Sequence, residues 1–151
     1  MKAFIKGAGV VGGFGCGLSG LEEAIRRIPA PDSDPAAAGA IAEVPALPAF
    51  TAKTDLLERL IPPRTLRRVD HYTRMAILAS RLALEDAGMA NGLPEDTGLI
   101  VATGMGPTAN TLDLQATDVA DADLALSPIL FSNSVQNAAA AYISMLLKVR
   151  G

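Results

Sequence analysis

The residues with chemistry to offer are few, and their spacing decides how each is read. Gly7-Ala8-Gly9-Val10-Val11-Gly12 has the G-x-G-x-x-G spacing of a dinucleotide turn. In such a turn, glycines let the backbone approach a pyrophosphate at the start of a helix. The surroundings fit poorly, because Gly12-Gly13-Phe14-Gly15-Cys16-Gly17 would have to supply the first helical turns. Each glycine there costs about 1 kcal/mol. The nearest acidic residues for a ribose, Asp32 and Asp34, lie in a proline-rich stretch instead of at a strand end. A tight strand-to-loop turn is the better account, and a nucleotide-binding α/β module using Gly7–Gly12 is the alternative. Cys16 sits in that glycine-rich loop, where backbone amides can stabilise a thiolate. The only histidine is His71, at the start of a helix. The pair reads more simply as a small loop residue and a half-exposed helix-start residue. Cys and His nowhere show the spacing of metal ligands. Asp113, Asp118, Asp121 and Asp123 read as a solvated acidic face, since they lack the apolar setting of acid–base carboxylates.

The elements that would position these residues follow from periodicity. Ala3–Gly7 reads as a strand. Ser19 with Glu22 makes a capping box, and Leu21, Ala24, Ile25 and Ile28 share one face of the helix it opens. Pro29 and Pro31 end that helix. Residues 29–63 form a proline-rich surface excursion, with an extended piece at Ala40–Val44 and a short helix at Lys53–Leu60. Asp70 caps a helix that runs to Ala87, and Gly88 supplies its left-handed stop. Tyr72, Met75, Ala76, Ala79, Leu82, Ala83 and Ala87 line one side of it, while Ile77, Leu78 and Leu84 add apolar surface elsewhere. Leu99–Ala102 reads as an inner parallel strand, ended by Gly104-Met105-Gly106-Pro107. A polar helix follows from Thr108 to about Asp118. A last helix starts between Ser132 and Gln136 and ends near Lys148. This order predicts an α/β fold with a mostly parallel sheet packed by helices.

Composition narrows the classes. The chain has 151 residues, 50% of them hydrophobic, which is enough for one domain with a core. The net charge of -3 and the absence of a dense Lys/Arg run argue against a nucleic-acid footprint. One cysteine cannot form an intrachain disulfide, so a cytoplasmic setting is expected. The apolar run Ala138–Leu147 is too short to span a bilayer.

Four stretches together resemble the β-ketoacyl-acyl-carrier-protein synthases, the thiolase-like condensing enzymes, over the N-terminal portion of their fold. They are Phe4–Val11, Arg67–Thr73 running into Ala83–Gly88, Thr97–Gly106, and Ser127–Gly151. The resemblance implies the first of two pseudo-repeated α/β halves, so residues 1–151 would be an incomplete domain. It implies fatty-acid or polyketide assembly with acyl carrier protein and an acyl thioester. It also implies a homodimer or a ketosynthase partner, without nucleic acid or membrane insertion. No metal or other cofactor is implied. The family's nucleophilic cysteine and two histidines map to no residue here, so the chain alone is expected to be inactive. Carry-over is limited to substrate-facing positions. Met105, between Gly104 and Gly106, matches a position lining the acyl tunnel. Ile129, Leu130 and Phe131 match a loop near the dimer interface and the partner's acyl pocket. The wording from Phe131 to Asn137 resembles a subgroup that includes chain-length-factor-like proteins, which can lack the cysteine.

Overall fold

The computed structural model describes residues 2–27, 51–120 and 127–150. A minimal hairpin, β1 (Val11–Gly12) and β2 (Gly15–Cys16), leads into α1 (Gly17–Arg27). Then come α2 (Asp55–Leu60), α3 (Pro63–Leu66), α4 (His71–Asp86) and α5 (Thr108–Ala120). Two further helices, α6 (Pro128–Ser134) and α7 (Ala138–Leu147), complete the order. The hairpin pairs Val11 with Cys16 and Gly12 with Gly15 in antiparallel register.

Helix α4 is the post around which the rest is arranged. Asp70 caps it as expected, its carboxylate accepting a hydrogen bond from the Thr73 amide at 3.0 Å. Gly88 follows at φ 68°, where a side chain would be strained. Leu57 from α2, Leu66 from α3, Ile77 and Leu78 from α4, and Ile143 from α7 form the core, with Ile61 and Val69 between them. Fully burying each large aliphatic side chain stabilises the fold by about 1.5–3 kcal/mol. The side of α4 foreseen as its core face is only half-buried. Thr73, Ile77 and Leu78 are the helix's buried residues, because α2 and α7 close on that flank.

The parallel sheet does not form among the described residues, whose only sheet is the two-stranded hairpin. Residues 2–10 belong to no ladder, and Phe4 and Ile5 are 81% and 92% exposed. Residues 97–103 also form no strand. Leu99 and Val101 pack on the core, whereas Ile100 between them is 95% exposed. The two-residue alternation is that of a strand, but an inner parallel strand needs paired edges and cover on both faces. The described chain covers one face only.

Other boundaries also differ. Helix α1 starts at Gly17, not at a Ser19 cap, and it has no buried residue; Ile25 on its apolar face is 57% exposed. Its surface carries Arg26–Glu22 and Arg27–Glu23 pairs, one helical turn apart. The expected last helix is α7, which starts later, at Ala138; a separate helix, α6, precedes it, and Val135 between them is extended (φ -80°, ψ 143°). Helix α2 falls where a short helix was foreseen. The extended piece at Ala40–Val44 and the rest of the excursion up to residue 50 lie outside the described residues.

The first glycines of the chain hold residues 7–9 against α4. A Cβ on Gly7 would lie 2.5 Å from the Ala83 carbonyl oxygen, and one on Gly9 would overlap the Ala79 carbonyl. Between them, the Ala8 amide donates to the Asp86 carboxylate at 2.9 Å. Gly9→Ala must therefore push the segment off α4. We expect a loss of about 1–3 kcal/mol, read as a Tm drop of several degrees in calorimetry. Gly98→Ala, which meets open space, should stay within about 0.5 kcal/mol of the parent; equal stability of the two variants would contradict the close approach.

Candidate functional site

The turn from Thr103 to Thr108 is built by local hydrogen bonds. The Gly106 amide donates to the Thr103 hydroxyl at 2.9 Å, and the Thr108 hydroxyl donates to the Met105 carbonyl at 3.2 Å. Gly106 stands at φ 63°, a conformation that favours glycine. A Cβ there would also come within 3.3 Å of the Gln136 side chain, so the turn lies beside the α6–α7 break. The turn leaves Met105 outside: its side chain is 78% exposed and fills no core gap. Gly104 is exposed beside it.

Helix α5 connects this turn to α6. Its Asn110 side chain donates to the Asn133 carbonyl at 3.1 Å, and the Thr111 hydroxyl reaches the Ser134 carbonyl at 3.5 Å. Asn133, 6% exposed, donates its side-chain amide to the Arg68 carbonyl at 2.8 Å. The Tyr142 hydroxyl of α7 lies 3.4 Å from both the Arg68 carbonyl and the Asn133 side-chain oxygen. One buried amide thus joins the approach to α4, α6 and α7, while the neighbouring α6 backbone holds α5. On the α6 exterior, Ile129 and Phe131 are 41% and 58% exposed, and Leu130 is half-buried. The residues foreseen as substrate-facing therefore sit on two elements that α5 ties together, and most of them face outward.

A cleft of about 300 Å³ opens between the starts of α4 and α5, with Asp70, His71, Tyr72 and Met75 on one side and Gly106 to Asn110 on the other. His71 lines it; Cys16 is in the hairpin, and no described cavity is lined by both. No group of acidic, His or Cys residues among the described ones could hold a metal ion. Asp113 is exposed on α5; the side chains of Asp118, Asp121 and Asp123 lie outside the described residues. The dinucleotide alternative finds no cradle, because the faces of Gly7 and Gly9 are filled by α4 and the Ala8 amide is bound to Asp86.

Two features were missed by sequence reasoning. One is the Asn133 hub, an asparagine between two serines that carries no sequence signal of burial. The other is an exposed basic group, Arg64, Arg67 and Arg68, around α3. None of the three has a carboxylate partner among the described residues. Their spacing of three and one after Pro62-Pro63 was the available signal, obscured by the acidic overall charge.

The hub can be tested directly. Asn133→Ala should cost about 1–3 kcal/mol in urea unfolding, since it leaves a buried carbonyl without its main donor. Asn133→Asp should cost at least as much, because it loses the same donor and buries a charge. Tyr142→Phe, at the longer distances, should cost less than either; the reverse order would place the hub's weight on tyrosine.

Neither the curated proteins nor the solved structures hold a significant match to this chain. Residues 8–151 match the family described as β-ketoacyl synthase, N-terminal domain. No described helix is long and apolar enough to cross a membrane. The chain belongs to the β-ketoacyl synthase N-terminal domain family, and with it to the thiolase-like fold.

Proposed function

We propose that this chain is the N-terminal portion of a condensing-enzyme-like protein of fatty-acid or polyketide assembly. Its part is to shape an acyl tunnel and a subunit interface, in the manner of a chain-length-factor-like protein. The observation that carries this reading is the exposed Met105 on a rigid Gly-Met-Gly turn, coupled through α5 to the outward Ile129 and Phe131. A flexible thioether held out of the core suits a wall completed by another surface. The unpaired Phe4, Ile5 and Ile100 call for cover of the same kind. The assembled unit is a homodimer or a pairing with a ketosynthase in the cytoplasm. Neither Cys16 nor His71 is given a catalytic role.

The carrier protein meets the exposed Arg64, Arg67 and Arg68. Three cations without carboxylate partners among the described residues favour an acidic surface and speed its encounter. Arg67→Glu with Arg68→Glu should weaken carrier-protein binding about tenfold at low salt and flatten its salt dependence. Unchanged affinity would remove the basic group from the interface. Sedimentation of the same samples should show self-association; a stable monomer would count against the interface.

In the complete assembly, Met105→Ala should lengthen the acyl products and Met105→Trp should shorten them, because an end wall selects length by steric exclusion. Thermal melts run alongside separate this from packing damage. If product length stays fixed in a folded, active assembly, Met105 is not a wall.

A further inference from the structure

A second cleft, of about 190 Å³, lies at the opposite end of α4 from His71, where the α4 exit meets the end of α7. Leu84, Leu93, Leu146 and Leu147 supply the apolar part of its lining. Two cations line the same space, Arg81 from α4 and Lys148 after α7. Among the described residues, neither has a carboxylate partner. The Arg81 Nε is buried without any hydrogen-bond partner. A guanidinium N–H removed from water and left unpaired is costly, and a planar two-oxygen anion is its natural complement.

Lys148 provides a separate observation. It is the one non-glycine residue at positive φ among those described, at 56°. Glycine or asparagine ordinarily closes a helix in this conformation. A lysine there gains from the helix dipole, but so would a lysine one turn earlier without the strain. Lys148 also lines the cleft that holds Arg81.

We propose that this cleft binds a small amphiphilic carboxylate, its oxygens on Arg81 and Lys148 and its alkyl body on the leucines. Butanoate, a carboxylate on a three-carbon chain, is the simplest probe of that chemistry. The site is apart from the Met105 turn and does not depend on the tunnel reading.

The test is titration of the isotopically labelled chain with butanoate, butan-1-ol and inorganic phosphate, followed by amide NMR shifts. Butanoate should give saturable shifts at Leu84, Asn91 and Lys148, with a Kd of about millimolar order. Arg81→Gln should weaken binding at least tenfold. Lys148→Asn, which keeps the left-handed cap and removes the charge, should weaken it severalfold with the unliganded spectrum preserved. Should Arg81→Gln fail to fold, Lys148→Asn decides. Butan-1-ol binding as well as butanoate would overturn the anion site, and phosphate binding as well as butanoate would overturn the role of the apolar walls. Full butanoate affinity in Lys148→Asn would overturn the assignment of that cation.

Discussion

On one flank, helix α4 is enclosed only because its neighbour touches its backbone. Its face toward residues 7–9 presents Ala79 and Ala83, and Gly7 and Gly9 meet it there without side chains. Small residues on both surfaces bring two main chains into contact, which increases dispersion contacts and excludes voids. On the other flank, the contact is made by large side chains, Ile77 and Leu78 against Leu57 and Ile143. The helix is therefore held by two different means: close backbone approach on one side and aliphatic filling on the other. Glycines that look like a phosphate cradle in the sequence are needed for the first of these.

That constraint positions the rest. With α4 fixed, its Asp70-capped start sets the Arg68 carbonyl, and that carbonyl accepts from Asn133. Asn133 in turn fixes the line of α6, and α5 is hung from the α6 backbone by Asn110 and Thr111. The Gly-Met-Gly turn is the lead-in to α5, so the placement of Met105 is inherited from α4 through a buried amide network. Such a network is stable only when each member is satisfied, which makes its loss cooperative. An outward-facing site can thus be rigid without being buried itself.

Much of this was legible in the chain. Asp70, Gly88 and the helix between them follow from local chemistry, since a cap and a left-handed stop act within one turn. Helices α2 and α5 were also legible, as short runs between proline- and glycine-rich breaks. The sheet was not realised, because strand formation depends on partners distant in sequence and, here, on cover beyond the described residues. Leu99, Ile100 and Val101 carry the composition of a buried strand, yet composition cannot say whether both faces are covered. Helix α6 was hidden because Ser132, Asn133 and Ser134 have the composition of a loop. Of the candidate site, the turn around Met105 was legible from its glycines. The Asn133 hub was not, since a buried amide and a solvated one have the same sequence signature.

The exposed apolar groups and the orphaned cations call for different kinds of cover. Phe4, Ile5, Ile100 and Met105 ask for apolar surface, which is non-directional and rewards area. Arg64, Arg67 and Arg68 stand in water and are already solvated, so a partner there gains in encounter rate more than in affinity. Arg81 is in a third position, with its Nε buried and unpaired; a hydrogen-bond acceptor relieves it, and an anion does so most strongly. The surfaces therefore differ in how they respond to salt. Screening weakens an exposed arginine group first, acts less on a charge held inside a cleft, and hardly touches an apolar face. In the proposed assembly, area would hold a subunit and charge would recruit a mobile carrier, each contact forming and breaking on its own.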